Sequence, residues 1–220
     1  MASIDDIIKK RKTQKVLAET PWSSAMKAED AQVLVSELLD LASYAPYHYR
    51  CNENYMAQKE LSSCLPYRMY VLDHEKCRKT ADFIEKNDLK AGKITNLLLS
   101  ADILIIATWL PEPNMENTDG IRNISFEGNL KNMEHIAATS AAIQNMLLGA
   151  TERQIPSYWS TGGKLRDGIL RDYLNIPRDE IMMGGIFLFP KDAEKREARI
   201  IPGALREEGK EKNSWSLWVS

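Results

Sequence analysis

The chain has 220 residues, enough for a large folded unit with a full core. Its hydrophobic fraction of 44% and charged fraction of 27% are ordinary for a globular protein, and a formal net charge of -2 gives no broad reason to bind nucleic acid or an anionic membrane. Three cysteines without a CxxC pair argue against a disulfide framework or a zinc ribbon and suit a reducing cytoplasm.

The chain starts without the long apolar segment of a secretory signal. Residues 3–10 carry Ile4, Ile7 and Ile8 on one helical face. The basic cluster Lys9-Lys10-Arg11-Lys12 follows, and residues 11–22 read as extended. In an extended stretch alternate side chains share a side, so Arg11, Thr13 and Lys15 line up as a guanidinium, a hydroxyl and an ammonium. That row suits a ligand with a phosphate at one end and anionic or carbonyl oxygens further along. Composition alone favours a solvated charge run.

Residues 29–44 place Val33, Leu34, Leu38, Leu41 and Ala45 at helical spacing, and Pro46 ends the pattern. Residues 47–66 read as irregular. A strand is predicted over 68–73, helices over 75–87 and 90–100, and a buried Ile-rich strand over 102–109. The longest apolar run, 103–110, falls far short of the roughly 20 residues that span a bilayer. A polar loop covers 111–128. A long helix is predicted over 129–154, apolar and small nearly all round, which suits the centre of a domain or an interface. A helix near 164–173 and a last strand over 181–189 follow. Trp215, Leu217, Trp218 and Val219 end a polar tail and are expected to dock on something. No repeat or linker breaks the chain, so residues 1–220 read as one domain.

Several chemistries lack their motifs. No GxGxxG follows a strand, no Walker A loop and no HExxH occurs, and His48, His74 and His135 have no metal-ligand spacing. No Ser-His-acid pattern stands out. Tyr158 and Trp159 follow a buried helix, where aromatics more often fill a core than shelve a cofactor.

Four segments in order carry a resemblance. Arg11-Lys12-Thr13-Gln14-Lys15 is similar to the amino-terminal flavin-binding stretch of nitroreductases, Arg-Arg-Ser-x-Arg. Residues 42–48, Ala-Ser-Tyr-Ala-Pro-Tyr-His, resemble that family's helix end and Ala-Pro turn. Residues 145–162 resemble its central helix and Trp-x-Ser/Thr-Gly segment, and residues 174–186 its final strand. One departure is clear: residues 50–66, with Cys51 and Cys64, replace the family's Asn-x-Gln-Pro-Trp.

The resemblance implies an α+β fold, a central mainly antiparallel sheet wrapped by helices, in an intertwined homodimer. The 129–154 helix would lie in the interface and the 191–220 arm on the partner. It implies FMN as cofactor, NAD(P)H as donor, and a nitroaromatic, quinone or similar small-molecule acceptor reduced by a ping-pong route. Arg11, Lys12, Thr13 and Lys15 would hold the flavin, Trp159, Ser160 and Thr161 would line it, and Tyr44 and His48 would reach it from the other subunit. No metal is expected. Another FMN reaction on the same fold, such as reductive dehalogenation or flavin fragmentation, and a non-catalytic flavin-binding role stay open.

Overall fold

The computed structural model describes residues 3–57, 60–113, 124–206 and 217–219. The first helix, α1 (Ile4–Lys10), starts on a reciprocal cap between Ser3 and Asp6 and carries acids in its first turn and lysines in its last, both matched to the helix dipole. Arg11 leaves the helix, and β1 (Gln14–Leu17) follows. In α2 (Ala28–Ser43) the apolar spacing buries Leu34, Leu38 and Ala42. A short helix, α3 (Glu53–Met56), lies within the stretch read as irregular; the Asn52 side chain caps it. Then come β2 (Tyr67–Leu72), α4 (His74–Lys86), α5 (Lys93–Ser100) and β3 (Ile103–Trp109).

The long helix α6 (Leu130–Glu152) is capped by Asn129. It is less uniform than its sequence suggests. Ala138, Ala142, Ile143, Met146, Leu147 and Ala150 are buried, whereas Leu130 and Met133 are more than half exposed. Next is β4 (Ser157–Ser160), a strand that the sequence hid among aromatics. The helix predicted over 164–173 divides into a 3-10 turn, Gly163–Arg166, and α7 (Gly168–Tyr173). Asp167 breaks it: its backbone is extended, and its side chain caps α7 by accepting from the Ile169 N–H at 3.0 Å. The strand β5 (Ile181–Leu188) is not the last, because β6 (Arg199–Pro202) follows.

The main sheet has the order β2-β3-β5-β4, antiparallel throughout, and β1 pairs with β6 in a separate antiparallel ribbon. All seven residues of β3 are buried. Strand alternation sends Leu104 and Ile106 to one face, where Val16, Ile84, Leu98 and Phe187 meet them. Ile103, Ile105 and Ala107 face the other way, onto Leu38, Ile143, Met146 and Ile186. Each such side chain, fully buried, contributes about 1.5–3 kcal/mol. Helices α2 and α6 approach closely at Gly149, where a Cβ would fall 2.5 Å from Leu41 Cδ1.

The carboxy-terminal arm starts on its own chain. Gln14 is in register with Pro202 and Leu17 with Arg199. Of the tail, Leu217, Trp218 and Val219 are described, and they lie exposed; Trp218 keeps 98% of its surface. The expected contact of Trp215 lies outside the described residues. Among the described residues no helix is long and apolar enough to cross a membrane.

The 51–66 stretch is tied down by one buried cation. Arg68 donates to the carbonyls of Tyr55, Leu61, Ser63, Leu65 and Tyr67 at 2.8–3.3 Å. Tyr55 is buried as well, and its hydroxyl donates to the Asp179 carbonyl at 2.9 Å. Replacing Arg68 by Met keeps much of the packing and leaves those carbonyls without their donor. We expect a loss of about 2–4 kcal/mol in urea unfolding; an unchanged midpoint would show that the loop holds itself.

Candidate functional site

The chain leaves α1 at Arg11 in an extended conformation, and the alternation of the following residues fixes who faces whom. Gln14 donates to Glu194 at 3.1 Å, and the Lys12 ammonium lies 3.9 Å from the same carboxylate. Arg11, Thr13 and Lys15 take the other side. Arg11 Nη1 lies 3.5 Å from Thr13 Oγ1, and Lys15 Nζ sits 5.1 Å from the centre of the Tyr158 ring. Arg11 and Thr13 thus meet, Lys15 reaches Tyr158, and Lys12 turns to Glu194.

A third cation joins the row from far along the chain. Past β6, Gly203 N–H donates to the Thr13 carbonyl at 3.1 Å, and a Cβ on Gly203 would sit 2.9 Å from Thr13 Cβ. This close approach brings in Arg206, whose guanidinium donates to the carbonyls of Arg11 and Lys9. Burial first, and then the charge of Arg206, pull the Arg11 pKa below its ordinary value. Arg11 nevertheless stays charged, as guanidinium does in proteins. Among the described residues no carboxylate forms an ion pair with Arg11. Two guanidiniums beside a hydroxyl make a corner suited to a doubly charged oxyanion such as a phosphate. Nothing in the sequence marks Arg206, a single arginine 195 positions downstream.

The far end of the row meets β4. Tyr158 lies under Lys15 and stacks on Phe187, with ring centres 6.4 Å apart. Trp159 alternates to the opposite side of the strand, in register with Ile186, and is 36% exposed. Tyr158 rather than Trp159 is thus the aromatic neighbour of the row, although the sequence reading favoured Trp159. Ser160 is buried and its hydroxyl accepts from the Gly162 N–H at 3.2 Å; Thr161 is exposed. Arg166 pins this turn, donating to the Thr161 carbonyl at 2.6 Å and to that of Met183 at 3.3 Å.

Gly184 decides the shape here. It sits beside the irregularity between β3 and β5 at φ 157°, and a Cβ there would lie 2.2 Å from the Ser160 carbonyl oxygen and 2.6 Å from Trp159 Nε1. Only a glycine lets β4 lie this close.

Tyr44 and His48 occupy another part of the chain. Tyr44 caps α2 and borders a shallow groove with Ile4, Ile7, Leu41 and Leu148. His48 Nδ1 lies 2.7 Å from a Glu134 carboxylate oxygen on α6. No contact joins either to Arg11, Thr13 or Lys15 among the described residues. Other buried ionisable groups are bonded within the fold. Glu180 accepts from Tyr70 at 2.8 Å and from Thr108 at 2.5 Å, and burial raises its pKa. No group of three or more His, Cys, Asp or Glu side chains among the described residues could hold a metal ion.

Residues 8–188 match the family model described as the nitroreductase family. Solved structures share the fold. One is a nitroreductase-like family protein from Bacillus cereus (TM-score 0.55, 23% identity, 90% of this chain and 96% of that one). Another is a nitroreductase with bound FMN from Bacteroides fragilis (TM-score 0.51, 17% identity, 86% and 88%). A third is a nitroreductase from Lactococcus lactis in complex with nicotinic acid (TM-score 0.57, 12% identity, 88% and 98%). No curated protein matches the sequence.

The constraint at Gly184 can be measured. Gly184→Ala forces a backbone clash and a strained φ, at a cost of about 1–3 kcal/mol. We expect a lower thermal midpoint and a changed environment for Trp159, read by fluorescence against a Trp159→Phe control. A midpoint equal to the parent would mean that β5 shifts without cost.

Proposed function

The chain belongs to the nitroreductase family, and from that premise we propose that it is an FMN-dependent oxidoreductase. The observation that carries this reading is the cationic corner of Arg11 and Arg206 beside Thr13, which fits a phosphate. From Arg11 to Lys15 an extended chain runs about 13 Å, long enough to lead from the phosphate of a mononucleotide to its ring. When bound, FMN supplies reversible two-electron chemistry between a nicotinamide donor and an organic acceptor.

The chain's own residues divide the work. Arg11, Arg206 and Thr13 hold the phosphate. Lys15, kept in place over Tyr158, puts a fixed positive charge near the pyrimidine edge of the ring, where negative charge grows on reduction. Tyr158 borders the ring beneath Lys15, and the turn that follows, Trp159, Ser160 and Thr161, is held beside it by Gly184 and Arg166, with Trp159 on the far side of β4. Lys12 braces the back of β1 through Glu194. NAD(P)H and the acceptor, a nitroaromatic, a quinone or a similar small molecule, use one site in turn, which gives parallel lines in steady-state kinetics. The three cysteines are free thiols, in keeping with a reducing compartment.

We further infer a homodimer. Leu130 and Met133 on α6, Tyr44 on α2, and the Leu217–Val219 end of the tail are apolar and exposed in the single chain. A groove of about 500 Å³ between α2 and β2, walled by Met26, Val35, Leu39 and Val71, offers a second copy's tail a place to lie. Tyr44 and His48, which make no contact with the row in their own chain among the described residues, then act across the subunit boundary. Light scattering at micromolar concentration should report a dimer that a deletion of residues 207–220 weakens. A monodisperse monomer of the full chain would overturn this part of the reading.

The flavin assignment has its own test. Purified protein supplied with FMN should absorb at roughly 450 nm, as flavins do, and release FMN on heating. Arg11→Ala and Arg206→Ala should each weaken FMN binding at least tenfold, on the order of the 1.5–3 kcal/mol of a charged hydrogen bond. Lys15→Met should bind nearly as tightly but move the flavin midpoint potential negative by roughly 20–60 mV. Protein that takes up no flavin in excess FMN sinks the proposal.

A further inference from the structure

Cys51 and Cys64 stand at the two ends of the insertion, where the chain comes back on itself. The Cys51 N–H donates to the Cys64 carbonyl at 3.1 Å. With that one bond and ordinary backbone lengths the two Cα atoms lie at most about 7 Å apart. That upper limit meets the range of about 4.4–6.8 Å over which disulfides form. The contacts of each sulfur to oxygen are long, and the Arg68 guanidinium also lies near Cys51. Cys51 Sγ lies 3.6 Å from the Ser63 carbonyl, which already accepts from Arg68 at 3.0 Å. Cys64 Sγ lies 3.6 Å from the Tyr47 hydroxyl. The third cysteine, Cys77, is buried in α4 with its thiol on the Leu72 carbonyl.

We propose that Cys51 and Cys64 form a reversible intramolecular disulfide that closes the insertion into a ring and releases Tyr47. The oxidant is a low-molecular-weight disulfide of the glutathione type. Cys64, half-buried and thus the reachable sulfur, attacks it as the thiolate; the oxidant's S–S bond breaks and one reduced glutathione leaves. Cys51 then attacks the Cys64 sulfur, the mixed disulfide breaks, and the second reduced glutathione leaves. The two protons given up by the protein thiols end on the two released glutathiones. Burial pushes the Cys51 thiol up, so Cys64 leads and ring closure is the slower step.

The insertion is fastened by contacts that do not involve the cysteine sulfurs. Arg68 gathers its carbonyls, and Tyr55 anchors α3 to the Asp179 carbonyl. What changes is the turn after α2. Tyr47 precedes His48, and on the reading proposed above that turn reaches the second subunit's flavin. Losing the Cys64 contact frees the turn, so oxidation weakens FMN binding; this last consequence rests on that reading.

The test uses the purified full chain, reduced, freed of reductant and then incubated with excess oxidised glutathione. The intact mass should fall by two hydrogens, and free thiols in denaturant should drop from three to one. A non-reducing peptide map should join Cys51 to Cys64. Cys77→Ser should close the ring as the parent does, whereas Cys51→Ser should stop at a glutathione adduct on Cys64. The oxidised parent should unfold several degrees higher. A parent that stops at the Cys64 adduct, that links two chains through Cys64, or that keeps three free thiols overturns the proposal. Mass and thiol count do not depend on bound flavin, so this failure is separable from failure of the FMN reading.

Discussion

Strand β3 has no side chain that reaches water, and the rest of the molecule is arranged around that condition. A strand buried on both faces needs cover from both sides. The helices α4 and α5, with β1, close one face, while α2 and α6 close the other. Since the side chains of β3 alternate, a slip of one residue would exchange the two cores completely. The paired registers with β2 and β5 therefore set the position of every covering element, including the α5 carbonyls and hydroxyl that receive β1: Ala18 N–H donates to the Asn96 carbonyl at 3.3 Å, and Ser100 Oγ donates to the Val16 carbonyl at 2.7 Å. The cationic row hangs on that attachment. Its position is a consequence of core packing, not of any attraction among its own charges, which repel.

The repulsion is informative. Arg11 and Arg206 are held side by side by backbone pairing in the β1–β6 ribbon and by hydrogen bonds from Arg206 to main-chain carbonyls. Folding energy from elsewhere keeps two like charges together, which on the reading proposed above is the cost of a binding site prepared before its ligand arrives. A similar economy of shape governs the other end of the row. Gly184 removes a side chain so that the Ser160 carbonyl can come close, and Arg166 fastens the same turn to β5.

Much of this could be read from the sequence, for reasons that can be named. The spacing of Leu34, Leu38 and Ala42 defines α2, and the unbroken apolar run defines β3, because each pattern has one structural period. Alternation alone put Arg11, Thr13 and Lys15 on one side. The family resemblance grouped Lys12 with them, but the structure turns it toward Glu194. The misses share a cause. In β6 the sequence Arg-Ile-Ile-Pro does not alternate, since the strand pairs with β1 at the surface and buries neither face fully. In β4 four residues are too few to show a period, and Tyr158 and Trp159 sit on opposite sides with no apolar rhythm to say which is which. Asp167 reads as an ordinary acid until its neighbours show it ending one turn and capping the next. Arg206 could not be found at all, because its role depends on a ribbon whose second strand was itself invisible.

That ribbon has a consequence for how the molecule comes into being. Strand β1 is made early and β6, its partner strand among the described residues, some 180 residues later, so on a growing chain β1 waits for that partner. The anion corner does not exist in any nascent form that lacks Arg206, and the segment that carries Arg11 and Thr13 waits open while the sheet and both helical layers are synthesised. On the reading proposed above, loading with a phosphate-bearing ligand would wait until nearly the whole polypeptide is complete. A chain cut short before β6 would lack Arg206 and also Ile200 and Ile201, which pack against the core beneath β1.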